Sequence, residues 1–315
     1  MVRSARSLYR LNLTLAGLGA LVVLAGMGIA FARIGFAPGP LGSLLSDCRR
    51  FLLPQVTLAG LAVLGLELLG TTVLSRGALS AGRQVRGCRR FLHALDVIGY
   101  RRVAGHRFLV VAGSNAQAFC AGLVRPRVYV SRAAADQLSR LQLEAVIAHE
   151  THHARRRDPL RIMLITVLSD ALFFLPALRR LRNRYAELAE LAADEAALSA
   201  VNDASHLAAA LLHFGERGTP GVVGIDAERV DHLLGSAPRW EVRGSTIIGT
   251  LLPLAGLFVV IATVAGSTAT HTNLTQLAAQ ACMITMSAAP LVALAALALA
   301  GRRTVSRLRL RIPSL

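Results

Sequence analysis

Val146-Ile147-Ala148-His149-Glu150-Thr151-His152-His153 runs from an apolar flank straight into an H-E-x-x-H pattern. Upstream, Leu138, Leu141, Ala145 and Ala148 mark one apolar stripe at helical spacing, with Ser139 as a candidate N-cap. Four residues make slightly more than one helical turn, so His149 and His153 point the same way and can bind one ion together. Glu150 projects beside that ion, where it can take a proton from water. Neutral imidazoles suit Zn2+, and a catalytic zinc takes three protein ligands while keeping one position open. The flank Val146–Ala148 would keep such a site dry. His152 points about 100° away from His153 and is read as structural.

A third ligand is sought downstream, in Arg184-Tyr-Ala-Glu-Leu-Ala-Glu-Leu-Ala-Ala-Asp-Glu-Ala. Glu187, Glu190 and Asp194 stand at i, i+3 and i+7, on one face of a helix. Two readings stay open on spacing alone. One carboxylate binds the metal while another orients a ligating histidine, or the three form a solvated face paired with Arg180, Arg182 and Arg184. Upstream of the His-Glu helix, Phe108–Val111 and Val128–Val130 bracket Gly113, Asn115 and Gly122, which reads as a small strand-and-hairpin unit. Helical periodicity takes over from Ala133.

Four segments are long and apolar enough to cross a bilayer, for which about 20 residues are needed. They are Asn12–Ala32, Leu52–Leu74, Thr246–Gly266 and Leu277–Ala300, and Glu67 is the one charge among them. A carboxylate inside a span suggests function by default, and Glu67 is read against this as facing the bundle interior or a neighbouring Arg. The first run is longer than the roughly 7–15 residues of a signal-peptide core, so it reads as a span. This divides the chain into two N-terminal spans (1–74), a central domain (75–245), and two C-terminal spans with a basic tail (246–315). Arg is concentrated in the N-terminus, in residues 75–107 and after residue 300, while the loop 267–276 has none. By the positive-inside rule both termini and the central domain face the cytoplasm of a cell-membrane protein.

Composition agrees. Of 315 residues 54% are apolar, and the mean hydropathy is +0.51, above the range of soluble domains. The net charge of +17 comes from 35 basic residues, all Arg, against 18 acidic ones. Such a charge reports topology and attraction to anionic headgroups. No recognition module accompanies it, so no direct nucleic-acid partner is expected. The absence of Lys excludes Schiff-base chemistry, a P-loop and a Ser-x-x-Lys acylation site. Four isolated Cys (Cys48, Cys88, Cys120, Cys282) exclude a cysteine zinc knuckle and offer no disulfide framework.

Several spaced motifs carry a family resemblance over about residues 85–240. Ala118-Phe-Cys-Ala-Gly-Leu-Val-Arg-Pro-Arg-Val-Tyr-Val-Ser131 precedes the His-Glu helix, and Arg155-Arg-Arg-Asp-Pro159 follows it. Then come Phe173-Phe-Leu-Pro176 and Glu190-x-x-x-Asp194. This order resembles the BlaR/MecR-type membrane zinc peptidases and, more distantly, HtpX-type proteases. The resemblance implies His149, His153 and Glu190 as Zn2+ ligands, Glu150 as general base and Asp194 as a carboxylate behind the ligands. It makes 118–131 an edge strand beside the substrate cleft and leaves Glu187 on the surface. It further implies a protein substrate, a cytoplasmic DNA-binding repressor in a signalling pathway. The alternatives are damaged membrane proteins, as for an HtpX-like quality-control protease, or a non-catalytic receptor or scaffold. Antibiotic-sensing members also carry a penicillin-binding domain built on Ser-x-x-Lys. This chain runs 15 residues past its last apolar segment and has no Lys, so acylation of it by a β-lactam is not expected.

One constraint follows from geometry. Pro159–Leu178 is strongly apolar, yet His153 and Glu190 flank it and must meet at one ion. A full crossing would separate them by about 30 Å. The segment is therefore expected to be a re-entrant or buried helix broken near Pro176, as Asp170 and Arg161 inside it also argue. The expected fold class is a mainly α membrane protein: four transmembrane helices around a gluzincin-like cytoplasmic domain with a small β unit and an HExxH helix.

Overall fold

The computed structural model describes residues 2–35, 58–215, 244–267 and 272–273. In chain order these form α1 (Val2–Ala32), β1 (Ile34–Gly35), α2 (Leu58–Ala94), β2 (Val97–Val103), β3 (His106–Val111), β4 (Ala118–Ala121), β5 (Arg127–Ser131), α3 (Arg132–Gln137), α4 (Arg140–Arg156), α5 (Asp158–Ala171), α6 (Pro176–Val201), α7 (Ala204–Gly215), α8 (Gly244–Gly266) and β6 (Thr272–Asn273). The chain divides into two compact units, Met1–Val22 with Thr71–Leu257, and Val23–Gly70 with Phe258–Leu315.

Three described helices are long and apolar enough to cross a membrane: Ser4–Ala32, Leu58–Ala94 and Gly244–Gly266. The expected span Leu277–Ala300, the basic tail and the loop 36–51 lie outside the described residues. The helix read as Leu52–Leu74 is longer than its apolar run. Hydrophobicity ends near Leu74, but no Pro follows before Ala94, so helical hydrogen bonding continues through the Arg-rich stretch. At about 1.5 Å per residue, α2's 37 residues reach about 55 Å, well beyond a hydrocarbon core of about 30 Å.

In the second unit, backbones approach closely where glycines leave room. Gly26 faces Ile261, and Gly70 faces Met27. The Arg33 guanidinium closes this end by donating to the Ala265 and Ser267 carbonyls at 2.6 and 2.8 Å. Beside it, Ile34 and Thr272 pair in a short parallel ladder.

The first unit holds a four-stranded sheet in the order β2-β3-β5-β4. β2 and β3 form a hairpin across Ala104 (φ 48°) and Gly105 (φ 79°), the two positive-φ positions that match the strands' right-handed twist. β3 and β5 run parallel, and β5 pairs antiparallel with β4. β4 therefore lies at the sheet edge. Gly122 (φ 110°) turns the chain from β4 toward β5; a Cβ there would meet the Arg125 carbonyl oxygen at 3.0 Å. Phe108, Val110, Val128 and Val130 pack from the sheet onto Leu143, Val146 and Ile147 of α4.

Helical structure after Ala133 comes in two pieces, broken at Leu138, whose extended backbone caps α3. Ser139 then starts α4 with a reciprocal capping box to Gln142. Arg157, in the left-handed conformation (φ 55°, ψ 42°), ends it. Pro159 opens α5, whose 14 residues reach only about 21 Å, too short to span. Ala171 ends that helix, and Pro176 opens α6 on a new course. α5 and α6 pack with the charged end of α1, burying Ala5, Leu8, Ile165, Tyr185 and Leu188 together. Asp170 is taken up by α2: Ser80 donates to its carboxylate at 2.6 Å and Arg76 to its carbonyl at 3.0 Å.

Candidate metal centre

α4 and α6 lie side by side, with the small residues Ala145 and Ala197 packed together between them. This packing brings Glu190 of α6 against His149 and His153 of α4. His149 Nε2 and His153 Nε2 stand 3.2 Å apart. Glu190 straddles them, with Oε2 at 3.5 Å from His149 Nε2 and Oε1 at 3.5 Å from His153 Nε2. Tetrahedral ligands about 2.0–2.1 Å from one zinc stand about 3.3–3.4 Å from each other, so these spacings fit one small cation.

The donor chemistry points the same way. His153 Nδ1–H donates to Asp158 Oδ2 at 3.0 Å, and His149 Nδ1 lies 2.9 Å from Asp194 Oδ1. Each imidazole thus has a carboxylate at its outer nitrogen, and the neutral tautomer this favours would present the other nitrogen's lone pair to a common point. Two lone pairs and a carboxylate converging in a buried space repel one another unless a cation joins them. Burial disfavours a charged His149, yet Asp194, Glu190 and Glu150 together push it up to about 10. The local field favours positive charge.

The outer carboxylates are themselves held. Asp194 is fully buried and Asp158 is 1% exposed. Tyr185 donates its hydroxyl to Asp158 Oδ1 at 2.8 Å. Burial alone would raise the Asp158 carboxyl; its hydrogen bonds with His153 and Tyr185, and the nearby Arg156, outweigh this and hold it low. Glu150 lies next to the cluster without joining it. Burial raises its carboxyl, opposed by His149 and His153 and by a hydrogen bond from the backbone of Cys120 in β4. A carboxylate made more basic than usual beside a cation site suits proton transfer.

A cleft of about 650 Å³ opens onto these residues. Phe91 of α2, Phe119 of β4, Ile162 and Met163 of α5, and Leu211 and Phe214 of α7 give it apolar walls. The Glu190 side chain is 39% exposed and faces this opening. Cys120 lines the same cleft, but burial and the charges of Glu150 and Asp158 push its thiol up to about 12. It is protonated at neutral pH and no nucleophile.

The site residues expected from sequence therefore meet in one place: His149, His153 and Glu190 as a cluster, Glu150 beside it, Asp194 behind His149. Glu187 does not reach the cluster. It pairs with Arg184 at 2.9 Å. His152 points away, toward a separate cavity. Asp158 and Tyr185 were not expected. Asp158 stands in Arg155-Arg-Arg-Asp-Pro159, and the signal for it was Pro159, which marks a helix start and so a sharp turn directly behind His153.

Residues 109–219 match the family model of the BlaR1 peptidase M56. The match begins in β3, takes in every residue of the cluster and extends past α7. The resemblance to BlaR/MecR-type peptidases thus holds for the central region. Over these residues the chain is similar to metallopeptidases of the BlaR1 kind, and its long apolar helices suit a membrane. No curated protein matches the sequence.

Proposed function

With a BlaR1-type peptidase domain as the premise, we propose that the chain is a membrane-embedded zinc endopeptidase that cleaves a cytoplasmic protein. The observation that carries this is the convergence of His149, His153 and Glu190 beside the Glu150 carboxylate and an edge strand. Zinc held by these three residues would lower the pKa of a water toward about 7 and polarise the scissile carbonyl. Glu150 is placed to take a proton from an attacking water and to return it to the leaving amine. Asp158 and Asp194 hold the imidazoles in the tautomer that leaves Nε2 bare. Among the described residues no strand pairs with the outer edge of β4, so an extended substrate segment can add to the sheet there. The apolar walls then select apolar side chains flanking the cut.

The Arg distribution argues for a cytoplasmic active site. The resemblance drawn above favours a small DNA-binding repressor as client, whose cleavage would relieve repression of a target gene. The test compares intact proteins in cells carrying the active form or Glu150→Gln. One regulator that stays whole only in the inactive strain is the expected result. Accumulation of many unrelated membrane proteins, with no regulator among them, would replace this reading by a quality-control protease.

A further inference from the structure

A second cavity, of about 470 Å³, lies on the side of α4 turned away from the metal cluster. Its walls come from α1, β3, α4 and α6, all within the first unit. Three arginines line it, Arg6, Arg155 and Arg156, together with His106, His152 and Thr151. No carboxylate lines it among the described residues. Arg156 has a side chain only 12% exposed, and its nearest acidic atom is Asp158 Oδ1, 3.7 Å from Nε. The buried Nε and Nη2 of Arg156 and Nε2 of His152 have no hydrogen-bond partner among the described residues. Burying cationic N–H groups without acceptors is costly, so these groups call for an anion in the cavity.

The form of the cavity selects the anion. Donors arrive from three elements, and a planar carboxylate offers two oxygens to one side. A tetrahedral phosphate presents oxygens in several directions and takes guanidinium forks in bidentate fashion. Arg6 also sits at the charged end of α1, just before the apolar run from Asn12, at the level where a spanning helix meets lipid phosphates. We propose that this second cavity is a binding site for a phosphate-bearing anion, supplied by an anionic lipid headgroup or by a free phosphate compound. The site is independent of the peptidase reading, because none of its donors is part of the metal cluster.

The experiment uses the full chain purified in a neutral detergent. Thermal unfolding is followed with inorganic phosphate, with dihexanoyl phosphatidylglycerol, and with dihexanoyl phosphatidylcholine or chloride at matched ionic strength as controls. Phosphate or phosphatidylglycerol should raise the unfolding midpoint beyond the controls. Stabilisation by both identifies a soluble phosphate as sufficient, and stabilisation by the lipid alone identifies a headgroup. In Arg6→Gln and Arg155→Gln, both exposed positions, the midpoint response should need about tenfold more probe, since each guanidinium removes a charged hydrogen bond. Circular dichroism checks that these variants keep their helices. If they do not, retention of phosphatidylglycerol by the parent protein in native mass spectrometry replaces the comparison. No shift with either probe, an equal response in the variants, or no retained anionic lipid where that measurement is used, overturns the proposal.

Discussion

Asp158 Oδ2 lies 3.0 Å from Nδ1 of His153, five residues back along the chain. The contact exists because Arg157 adopts a left-handed conformation between two helices. A continuing helix would carry residue 158 onward, about 7.5 Å along the axis from residue 153. The turn instead folds the first residue of α5 back onto the last histidine of α4. Tyr185, from α6, then fixes the other carboxylate oxygen at 2.8 Å. Three helices are tied to the orientation of one imidazole.

Asp158→Asn tests that relationship. The amide can keep the shape and still accept from Nδ1–H, but it removes the charge that makes His153 a strong donor to a cation. Zinc affinity should fall by about 10–100-fold, the usual range for such outer partners. Competition with a chelator of known affinity measures it. An unchanged affinity would mean that Asp158 acts only in the fold.

Glu150 separates binding from chemistry. It touches the cluster's edge but contributes no atom to the His149–His153–Glu190 group. Glu150→Gln should retain near-stoichiometric zinc while peptide cleavage drops by at least about 100-fold, the lower range of general-base effects. Metal analysis and a fluorogenic peptide assay on one preparation decide it. Full activity in that preparation would remove Glu150 from its assigned role.

Glu190 and Glu187 are one helical turn apart and are told apart by geometry. Glu190 faces both histidines at 3.5 Å, whereas Glu187 faces Arg184. Glu190→Ala should purify with little zinc, and Glu187→Ala with the parent's content. The reverse outcome would shift the third ligand by one turn.

These residues show what the sequence made legible. The H-E-x-x-H spacing needs only helix geometry, and the Ser139 cap and the strands around Phe108–Val111 and Val128–Val130 follow from local chemistry, so each was readable in advance. The meeting of His153 with Glu190 was readable as a requirement, since Pro159–Leu178 could not both cross the membrane and flank one site. Asp158 was not readable as a partner of His153. The contact depends on a left-handed residue, and Arg157, unlike Gly or Asn, does not announce that conformation. The arginine-lined cavity was equally hidden, because Arg6 and Arg155 come together only through tertiary packing. Strand β2 was missed for a simpler reason. It is exposed along almost its whole length, so it shows no alternation of apolar and polar residues.

Arg157 offers a stability test. A side chain in the left-handed region costs roughly 1–2 kcal/mol, and glycine avoids this at some loss of unfolded-state restriction. Arg157→Gly should therefore raise stability by up to about 1 kcal/mol. Arg157→Val, branched at Cβ, should lower it and weaken zinc binding, because a changed turn would withdraw Asp158 from His153. Thermal unfolding with parallel metal analysis reads both effects. A destabilised glycine variant would mean that the Arg157 side chain itself contributes a contact worth more than its backbone cost.

The orientation of the chain can be tested against the length of α5. That helix has 14 residues, about 21 Å, and cannot cross a hydrocarbon core of about 30 Å. Residues on either side of it must then lie on one face of the membrane. Reporter fusions ending after residue 80 and after residue 200 should both read cytoplasmic, as the Arg-rich continuation of α2 requires under the positive-inside rule. A fusion near Asn273, after the Arg-free apolar helix α8, should read on the opposite side. If the fusions at 80 and 200 disagree, the chain crosses between them. His153 and Glu190 could not then share an ion in the membrane-inserted protein, and the metal centre would fall with the topology.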